Sequence, residues 1–260
     1  MIVLGFDTAT QASVVGLCLA DGSTLQARDD PQPSAHPGHA TRLLSMAAEL
    51  LRDAGLGWSE LERIAVGVGP GRFTGLRVGI ATARGLAQSA GAELVGVSSL
   101  HALALGAAAH AHEHDRGPSA PQASPAGGTI AVIDARRGEA FAAAYPTPDR
   151  EIAFAQPLDA DELEGIVAAI ERRGVPATAG AGWLGVGDGA VRFAAALREA
   201  GVTVPEADSP LHRLDAAALC ELGARAVARD PLDAVLPDYR REPDAALARA
   251  QPLALGSTGS

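Results

Sequence analysis

The stretch IVLGFDTATQASVVGLCLADG, residues 2–22, decides the fold class. Its first apolar run, residues 2–6, is typical of a buried strand and ends at Asp7. After a short turn at residues 8–11, a second apolar run returns toward an Asp-Gly turn. The pattern therefore predicts a β-hairpin that opens the chain, with an acidic residue at the end of its first strand.

The same order of features recurs in the second half of the chain. Residues 129–146, TIAVIDARRGEAFAAAYP, again read as strand, acidic residue, tight turn and strand, so that Asp134 takes the place of Asp7. Alternating helix and strand patterns follow both hairpins. A duplicated unit of a hairpin followed by helices and strands predicts an α/β protein with a two-lobed, actin-like (ASKHA) fold.

This duplication suggests four segments. We expect an N-terminal actin-like lobe at residues 1–109 and a C-terminal actin-like lobe at residues 129–235. Residues 110–128 are rich in Pro, Ser and Gly and read as an insertion or linker, and residues 236–260 as a tail. Within the lobes, helices are predicted near residues 39–54, 74–88, 100–109, 160–173, 190–200 and 215–228, with further strands at 64–68, 93–97 and 202–204.

Composition excludes several classes of function. The chain has 260 residues, of which 47% are hydrophobic, and it carries a net charge of -10. All 21 of its basic residues are arginine, which excludes a Walker lysine, a Schiff base and a lysine-dependent kinase. An acidic chain is also a poor nucleic-acid binder on its own, because phosphate contacts supply most of the non-specific affinity. The short N-terminal apolar run is neither a signal peptide nor a membrane span, so we expect a cytoplasmic protein without membrane contact.

A glycine-rich loop, GPGRFTG at residues 69–75, joins a predicted strand to a predicted helix. It matches neither the P-loop pattern nor GxGxxG. Its backbone donors could hold an anion at the helix N-terminus, with Thr74 as the cap, or the loop could only turn the chain sharply. An Asp at a strand end could likewise hold a metal through water, although it more often forms a turn. The candidate residues for an anion or nucleotide loop are Asp7, Thr8, Gly71, Arg72, Thr74 and Asp134.

The helix after this loop carries small residues at every fourth position, namely Gly75, Gly79, Ala83 and Ala87. It is too short to cross a bilayer. The helix at residues 39–54 has an apolar arc wider than docking on one sheet requires. Two explanations stay open, since a partner could cover these helices or their own lobe could wrap them. The residues predicted for a partner interface are Leu43, Leu44, Ala47, Leu51, Leu76, Gly79, Ile80, Ala83 and Ala87.

The chain also resembles a known family, that of TsaB, which is also called YeaZ. The resemblance rests on FDTATQASVVGL, HATRLLSM, GVGPGRFTGLRVGIATARGLA, VSSLHAL, IDARRGEAF, GVGDGA and PDYRR, which together span most of the sequence. The combination of GPG-x-FTG-x-R-x-G with DAR-x-GE is the specific part. Arg72 stands where the family usually has serine, and the insertion at residues 106–128 is longer than usual.

The resemblance implies a non-catalytic subunit that acts in tRNA threonylcarbamoyladenosine synthesis. Such proteins are similar in fold to the catalytic subunit TsaD and bind it through helices of the first lobe. Apolar surface left open on these helices should also make the isolated chain form a symmetric homodimer. The ATPase TsaE joins the assembly, and tRNA is contacted mainly through the complex. No catalytic residue, cofactor or metal is expected. Two alternatives stay open, an ATP-dependent phosphotransferase with Asp7 and Asp134 at a metal, and a glycoprotease-like metallopeptidase, although the sequence has no HExxH motif.

Overall fold

A computed structural model describes most of the chain. It covers residues 1–31, 38–114, 128–175, 182–228 and 232–241. Most of the predicted insertion at 110–128 and of the tail at 236–260 therefore lies outside the described residues, and the predicted lobe boundaries stay predictions.

The first half of the chain forms a mixed five-stranded sheet. Its strands are β1 (Val3–Asp7), β2 (Ser13–Cys18), β3 (Thr24–Asp29), β4 (Arg63–Gly69) and β5 (Glu93–Ser98). Their order is β3-β2-β1-β4-β5. The opening hairpin is antiparallel, with Val3 opposite Cys18, whereas β4 and β5 continue the sheet in parallel from β1.

The second half repeats this sheet strand for strand. Its strands are β6 (Thr129–Arg136), β7 (Glu139–Thr147), β8 (Arg150–Ala153), β9 (Trp183–Val186) and β10 (Val202–Thr203). Read from the other edge the order is β8-β7-β6-β9-β10, again with an antiparallel hairpin and two parallel additions. Asp7 and Asp134 close equivalent strands, β1 and β6. The predicted duplicated, two-lobed actin-like α/β fold is confirmed.

Each sheet carries helices on its outer side. These are α1 (His39–Asp53) and α2 (Phe73–Ala90) on the first sheet, and α4 (Ala160–Glu164), α5 (Ile166–Arg172), α6 (Asp188–Arg192) and α7 (Ala194–Glu199) on the second. The prediction of one helix at 160–173 and one at 190–200 is wrong in detail. The first is interrupted at Gly165 and the second at Phe193, so that each forms two short helices. Among the described residues, no helix is long and apolar enough to cross a membrane.

Two helices, one from each half of the sequence, fill the space between the sheets. Helix α3 (Ser99–His114) packs mainly against β6 and β7, and α8 (Ala216–Arg225) packs against β1, β2 and β4. The two helices also contact each other. One hydrophobic cluster therefore joins both sheets, with Val95, Leu103, Ile133 and Leu219 among its buried members. Each half of the chain thus completes the core of the other half.

Arg63, on β4, fastens α8 to the first sheet. Its Nη1 lies 2.9 Å from each of three carbonyl oxygens at the C-terminal end of α8, those of Gly223, Ala224 and Ala226. They lie in the last turn of α8 and just after it, where carbonyls lack the regular donor from four residues further on. The other side of the guanidinium pairs with Glu93 of β5. One arginine thus ties the end of α8 to two neighbouring strands, across 160 positions of sequence in the case of Gly223.

Asp7 is buried at the point where the first hairpin meets α3, and only 1% of its surface is exposed. Its Oδ1 accepts a hydrogen bond from the Ala9 N–H at 2.6 Å, and its Oδ2 accepts one from the Ser99 hydroxyl at 2.5 Å. Gly67 leaves room for this carboxyl group, because a Cβ there would overlap it. Burial raises the pKa of Asp7 above its ordinary value of 3.8, although both hydrogen bonds act in the opposite direction.

Helix α2 lies close to the hairpin turn because two glycines, Gly75 and Gly79, face Thr8. Thr8 is fully buried and donates its hydroxyl proton to the Gly75 carbonyl at 2.8 Å. One turn along the helix, a Cβ at Gly79 would overlap Thr8 Oγ1, whereas a Cβ at Gly85 would have no atom within 4 Å.

Two alanine substitutions in α2 should therefore have opposite effects. We expect Gly79→Ala to lower the free energy of unfolding by about 1–3 kcal/mol, because the added methyl group forces α2 away from Thr8. Gly85→Ala should raise it by about 0.5–1 kcal/mol, since alanine stabilises an exposed helix position. Urea unfolding of both variants checks this. Equal effects would contradict the close packing described for α2.

A second experiment tests the buried state of Asp7. Asp7→Ala should cost about 1–3 kcal/mol, because the Ala9 N–H and the Ser99 hydroxyl lose their acceptor. Asp7→Asn keeps an acceptor and does not titrate. Because the folded state binds the Asp7 proton more tightly than the unfolded state does, the native protein should lose stability relative to Asp7→Asn as the pH rises through the raised pKa. Urea unfolding between about pH 3 and about pH 8 measures this, and a rise in relative stability would contradict it.

Candidate functional site

The glycine loop lies against the turn of the first hairpin and uses its own backbone donor there. The Arg72 N–H donates to the Ala9 carbonyl at 2.7 Å. A Cβ on Gly71 would lie 2.5 Å from both the Cβ and the carbonyl oxygen of Ala9, so only glycine allows this approach. The close contact with the hairpin explains the glycine at position 71 without a bound anion.

The structure does not bring the six residues of the predicted anion loop together as one open site. Asp7 and Thr8 are buried and hydrogen-bonded within the first lobe. Thr74 is exposed but is not the cap, because α2 begins at Phe73 and Arg72 is its N-cap residue, without a side-chain capping bond. The prediction of Thr74 as cap is wrong, since the helix starts one residue earlier than the sequence pattern indicates.

Asp134 is held by groups of the second lobe. Its Oδ2 lies 3.1 Å from Arg192 Nη1 and 3.5 Å from Arg136 Nη1. Its backbone N–H donates to Asp188 Oδ1 at 3.0 Å. Asp188 belongs to the GVGDGA motif, which forms the end of β9 and the start of α6. These contacts tie the motif to the end of β6, so both Asp134 and the motif have a structural role.

Arg72 is the member of the set that points toward the second lobe. Burial and the nearby charge of Arg136 lower its pKa, whereas Asp188 and Asp134 act in the opposite direction. Within the described residues its Nη1 is buried without a hydrogen-bond partner. An arginine stays protonated even with a lowered pKa, so Arg72 places a positive charge near the end of β6.

In the described part of the chain, no group of three or more His, Cys, Asp and Glu side chains comes together that could hold a metal ion. His39, at the start of α1, is buried and its Nδ1 lies 2.8 Å from Ser13 Oγ. Burial, followed by the charge of Arg72, lowers the pKa of His39, which favours its neutral form. This histidine anchors α1 to β2.

The residues predicted for a partner interface lie mostly in the core of their own lobe. Those that are buried are Leu43, Ala47, Leu51, Leu76, Gly79, Ile80, Ala83 and Ala87. The expectation that these side chains are open to a partner is therefore wrong. The small residues of α2 allow close packing, but on the hairpin of the same chain. Leu44 is the exception, with 46% of its surface exposed.

The outward sides of α1 and α2 carry a set of uncharged residues that, apart from Leu44, the sequence analysis did not select. We call it the α1–α2 face, and it consists of Thr41, Leu44, Ala48, Val78, Ala81 and Gly85, all exposed or half-buried. Val78, Ala81 and Gly85 recur at helical spacing, so the same periodicity that marks the buried side of α2 also marks this one. Sequence alone does not tell which of two small-residue sides meets the sheet. Because Ala81 and Gly85 have small side chains or none, another helix can approach α2 closely at these two positions.

Comparisons with known proteins agree with this architecture. The model of the family "TsaD: tRNA N6-adenosine threonylcarbamoyltransferase" matches residues 32–168. YeaZ from Pseudomonas aeruginosa, a solved structure, is 29% identical with a TM-score of 0.67, and the match covers 92% of this chain and 99% of that one. The tRNA threonylcarbamoyladenosine biosynthesis protein TsaB of Haemophilus influenzae is 35% identical over 54% of this chain and 52% of its own.

The protein of the same name from Escherichia coli extends the match over most of both chains. It is 32% identical over 213 residues, which are 81% of this chain and 84% of the relative. With the identity, the coverage and the repeated sheets in agreement, the chain belongs to the TsaB family of tRNA threonylcarbamoyladenosine biosynthesis proteins.

Proposed function

We propose that this chain is a non-catalytic scaffold subunit that binds a TsaD-type transferase through the α1–α2 face. In this role it supports transfer of the threonylcarbamoyl group to the adenosine beside the tRNA anticodon. The observation that carries the proposal is the set of uncharged residues on the outward sides of two adjacent helices, in a chain whose strand-end aspartates both pair with its own groups.

The family match favours a TsaD-type transferase as the protein that binds the α1–α2 face. The TsaD model covers residues 32–168, which include both α1 and α2, so TsaD transferases carry corresponding helices. Two proteins built on one fold can then pack the same helix pair against each other around a pseudo-twofold axis. The same geometry lets two copies of this chain pair when the transferase is absent. TsaE would join the assembled pair.

The phosphotransferase alternative requires Asp7 beside a metal and a phosphate. In this chain Asp7 is buried behind Ser99 and Ala9, and burial favours its protonated form. A neutral, enclosed carboxyl group is a poor metal ligand. The acidic net charge of -10 likewise favours contact with tRNA through the complex rather than through this chain alone.

A substitution on the α1–α2 face can test partner binding without disturbing the fold. Ala81→Arg places a long charged side chain on the exposed side of α2, so we expect the affinity for the transferase of the same organism to fall about 30-fold or more. The homodimer should weaken as well. Ala109→Arg is the matched control, because it changes an exposed helical alanine on α3 in the same way. Calorimetry measures binding, light scattering measures self-association, and circular dichroism checks folding.

The functional test is tRNA modification by the purified transferase, with its donor threonylcarbamoyl-adenylate, with and without this chain. Native protein and Ala109→Arg should support modification, whereas Ala81→Arg should lose most of it. Asp7→Asn should retain activity, because Asp7 contacts neither tRNA nor donor in this proposal. If a folded Ala81→Arg variant binds the transferase as tightly as the native protein does, the partner surface lies elsewhere.

A further inference from the structure

Residues 235–241, VLPDYRR, run along the first lobe beside α2 and end on the second lobe. On the first lobe, Arg84 Nη2 of α2 donates to the Val235 carbonyl at 2.8 Å. The Asp238 N–H donates to the Val68 carbonyl of β4 at 2.7 Å. Val235 is buried in the same cluster as the residues between α2 and the sheet. We call this segment the clasp, and it lies on the same side of the first sheet as the α1–α2 face.

The clasp meets the first turn of α2 through Tyr239. Its ring lies 4.9 Å from the ring of Phe73, and the Arg77 guanidinium lies 3.9 Å above Phe73. Arg77 Nε donates to the Tyr239 hydroxyl at 3.0 Å. Tyr239 is fixed by these contacts and still keeps 41% of its surface exposed. An exposed aromatic ring held in one orientation is the kind of residue that dominates binding at protein interfaces.

The next two residues contact the second lobe. Arg240 Nη1 donates to the Phe154 carbonyl at 2.9 Å, and its Nε pairs with Asp238 at 2.9 Å. Arg241 Nη1 donates to the Ala135 carbonyl at 2.7 Å and lies 3.2 Å from Glu139. Both arginines are mostly buried, with 12% and 17% of their side chains exposed. Hydrogen bonds from a charged group to buried carbonyls are the stronger class.

The exposed apolar residues indicate where a partner binds beside the clasp. Five large hydrophobic side chains are exposed among the described residues, and three of them, Leu44, Leu236 and Tyr239, lie on α1 or the clasp. Between them runs α2, whose outward positions Ala81 and Gly85 are small. We call this surface the groove: exposed apolar side chains flank the small outward residues of α2, with Arg77 exposed beside Tyr239, and a partner helix can pack on such a surface.

We propose that the clasp is one wall of the groove that receives the TsaD-type partner, and that Arg240 and Arg241 couple this wall to the second lobe. The inference rests on the proposed function, which supplies the partner. Tyr239, Leu236 and Arg77 contact the partner directly. Arg240 and Arg241 do not contact it, but they fix the position of Tyr239, so the arrangement of the two lobes affects partner affinity.

Substitutions in the clasp test the direct contact. Tyr239→Ala should weaken binding of the transferase by about 10-fold. Tyr239→Phe, which keeps the ring and loses only the hydroxyl, should change it by less than about 3-fold. The matched control is Val227→Ala, which removes an exposed hydrophobic side chain outside the groove and should leave affinity unchanged. Calorimetry with the purified transferase gives the affinities, and thermal unfolding shows that each variant is folded.

The proposed effect of Arg240 and Arg241 on partner affinity requires a separate measurement. Arg240→Ala and Arg241→Ala should each lower affinity by about 3-fold or more, although neither side chain lies in the groove. Hydrogen exchange of the native protein should show slower exchange at the Asp238 amide when the transferase is bound, and faster exchange in the two arginine variants without it. Because exchange in the native protein requires no substitution, this readout does not depend on how well the variants fold.

The outcomes distinguish this inference from the proposed function. If Ala81→Arg abolishes binding while Tyr239→Ala does not change it, the scaffold role stands and the clasp is not part of the interface. If Tyr239→Ala weakens only self-association, the groove receives a second copy of this chain and the inference is wrong. If Tyr239→Ala loses affinity while both arginine variants keep it, the clasp contacts the partner, but Arg240 and Arg241 do not link partner affinity to the second lobe. Unchanged affinity in Ala81→Arg and Tyr239→Ala contradicts both proposals.

Discussion

The architecture depends on the exchange of one helix between the two halves of the chain. Each sheet has an apolar inner face that its own half leaves uncovered, and α3 and α8 fill the space between these faces. Because apolar surface has to be removed from water, neither sheet is complete without the helix that the other half supplies. The outer helices α1 and α2 are then held on a sheet that is already fixed from behind.

Part of this arrangement could be predicted from the sequence. The two hairpins, the equivalence of Asp7 and Asp134 and the duplicated order of strands follow from short apolar runs that end at an acid, and local patterns of this kind are reliable. The edge strands β3 and β8 were not predicted, because half-exposed strands with charged residues such as Arg28 and Arg150 lack a clear apolar pattern. Strand β9 was not predicted either, because it has only four residues and lies among closely spaced glycines, which indicate turns.

The candidate site was harder to predict, for a physical reason. Small residues on α2 indicate that something approaches closely, but they do not identify the neighbour. Gly79 and Ala83 are buried against their own lobe, while Ala81 and Gly85 face outward, and only the three-dimensional arrangement separates the two sides. Asp7 presents a similar ambiguity, since a strand-end carboxylate can hold a metal or close a turn. Ser99, ninety-two positions away, decides between them by occupying its second oxygen.

The packing of α8 on the first sheet, where Arg63 holds its end by hydrogen bonds, has a consequence for synthesis of the protein. Chains are made from the N-terminus, and domains generally fold as their segments leave the ribosome. Here the inner face of the first sheet is not fully covered until α8, Ala216–Arg225, has been made, although the last strand of that sheet already ends at Ser98. The uncovered inner faces of β1 and β4 are apolar and would bind other unfolded chains. Until α8 has been made, these apolar strand faces lack the helix that covers them in the folded protein.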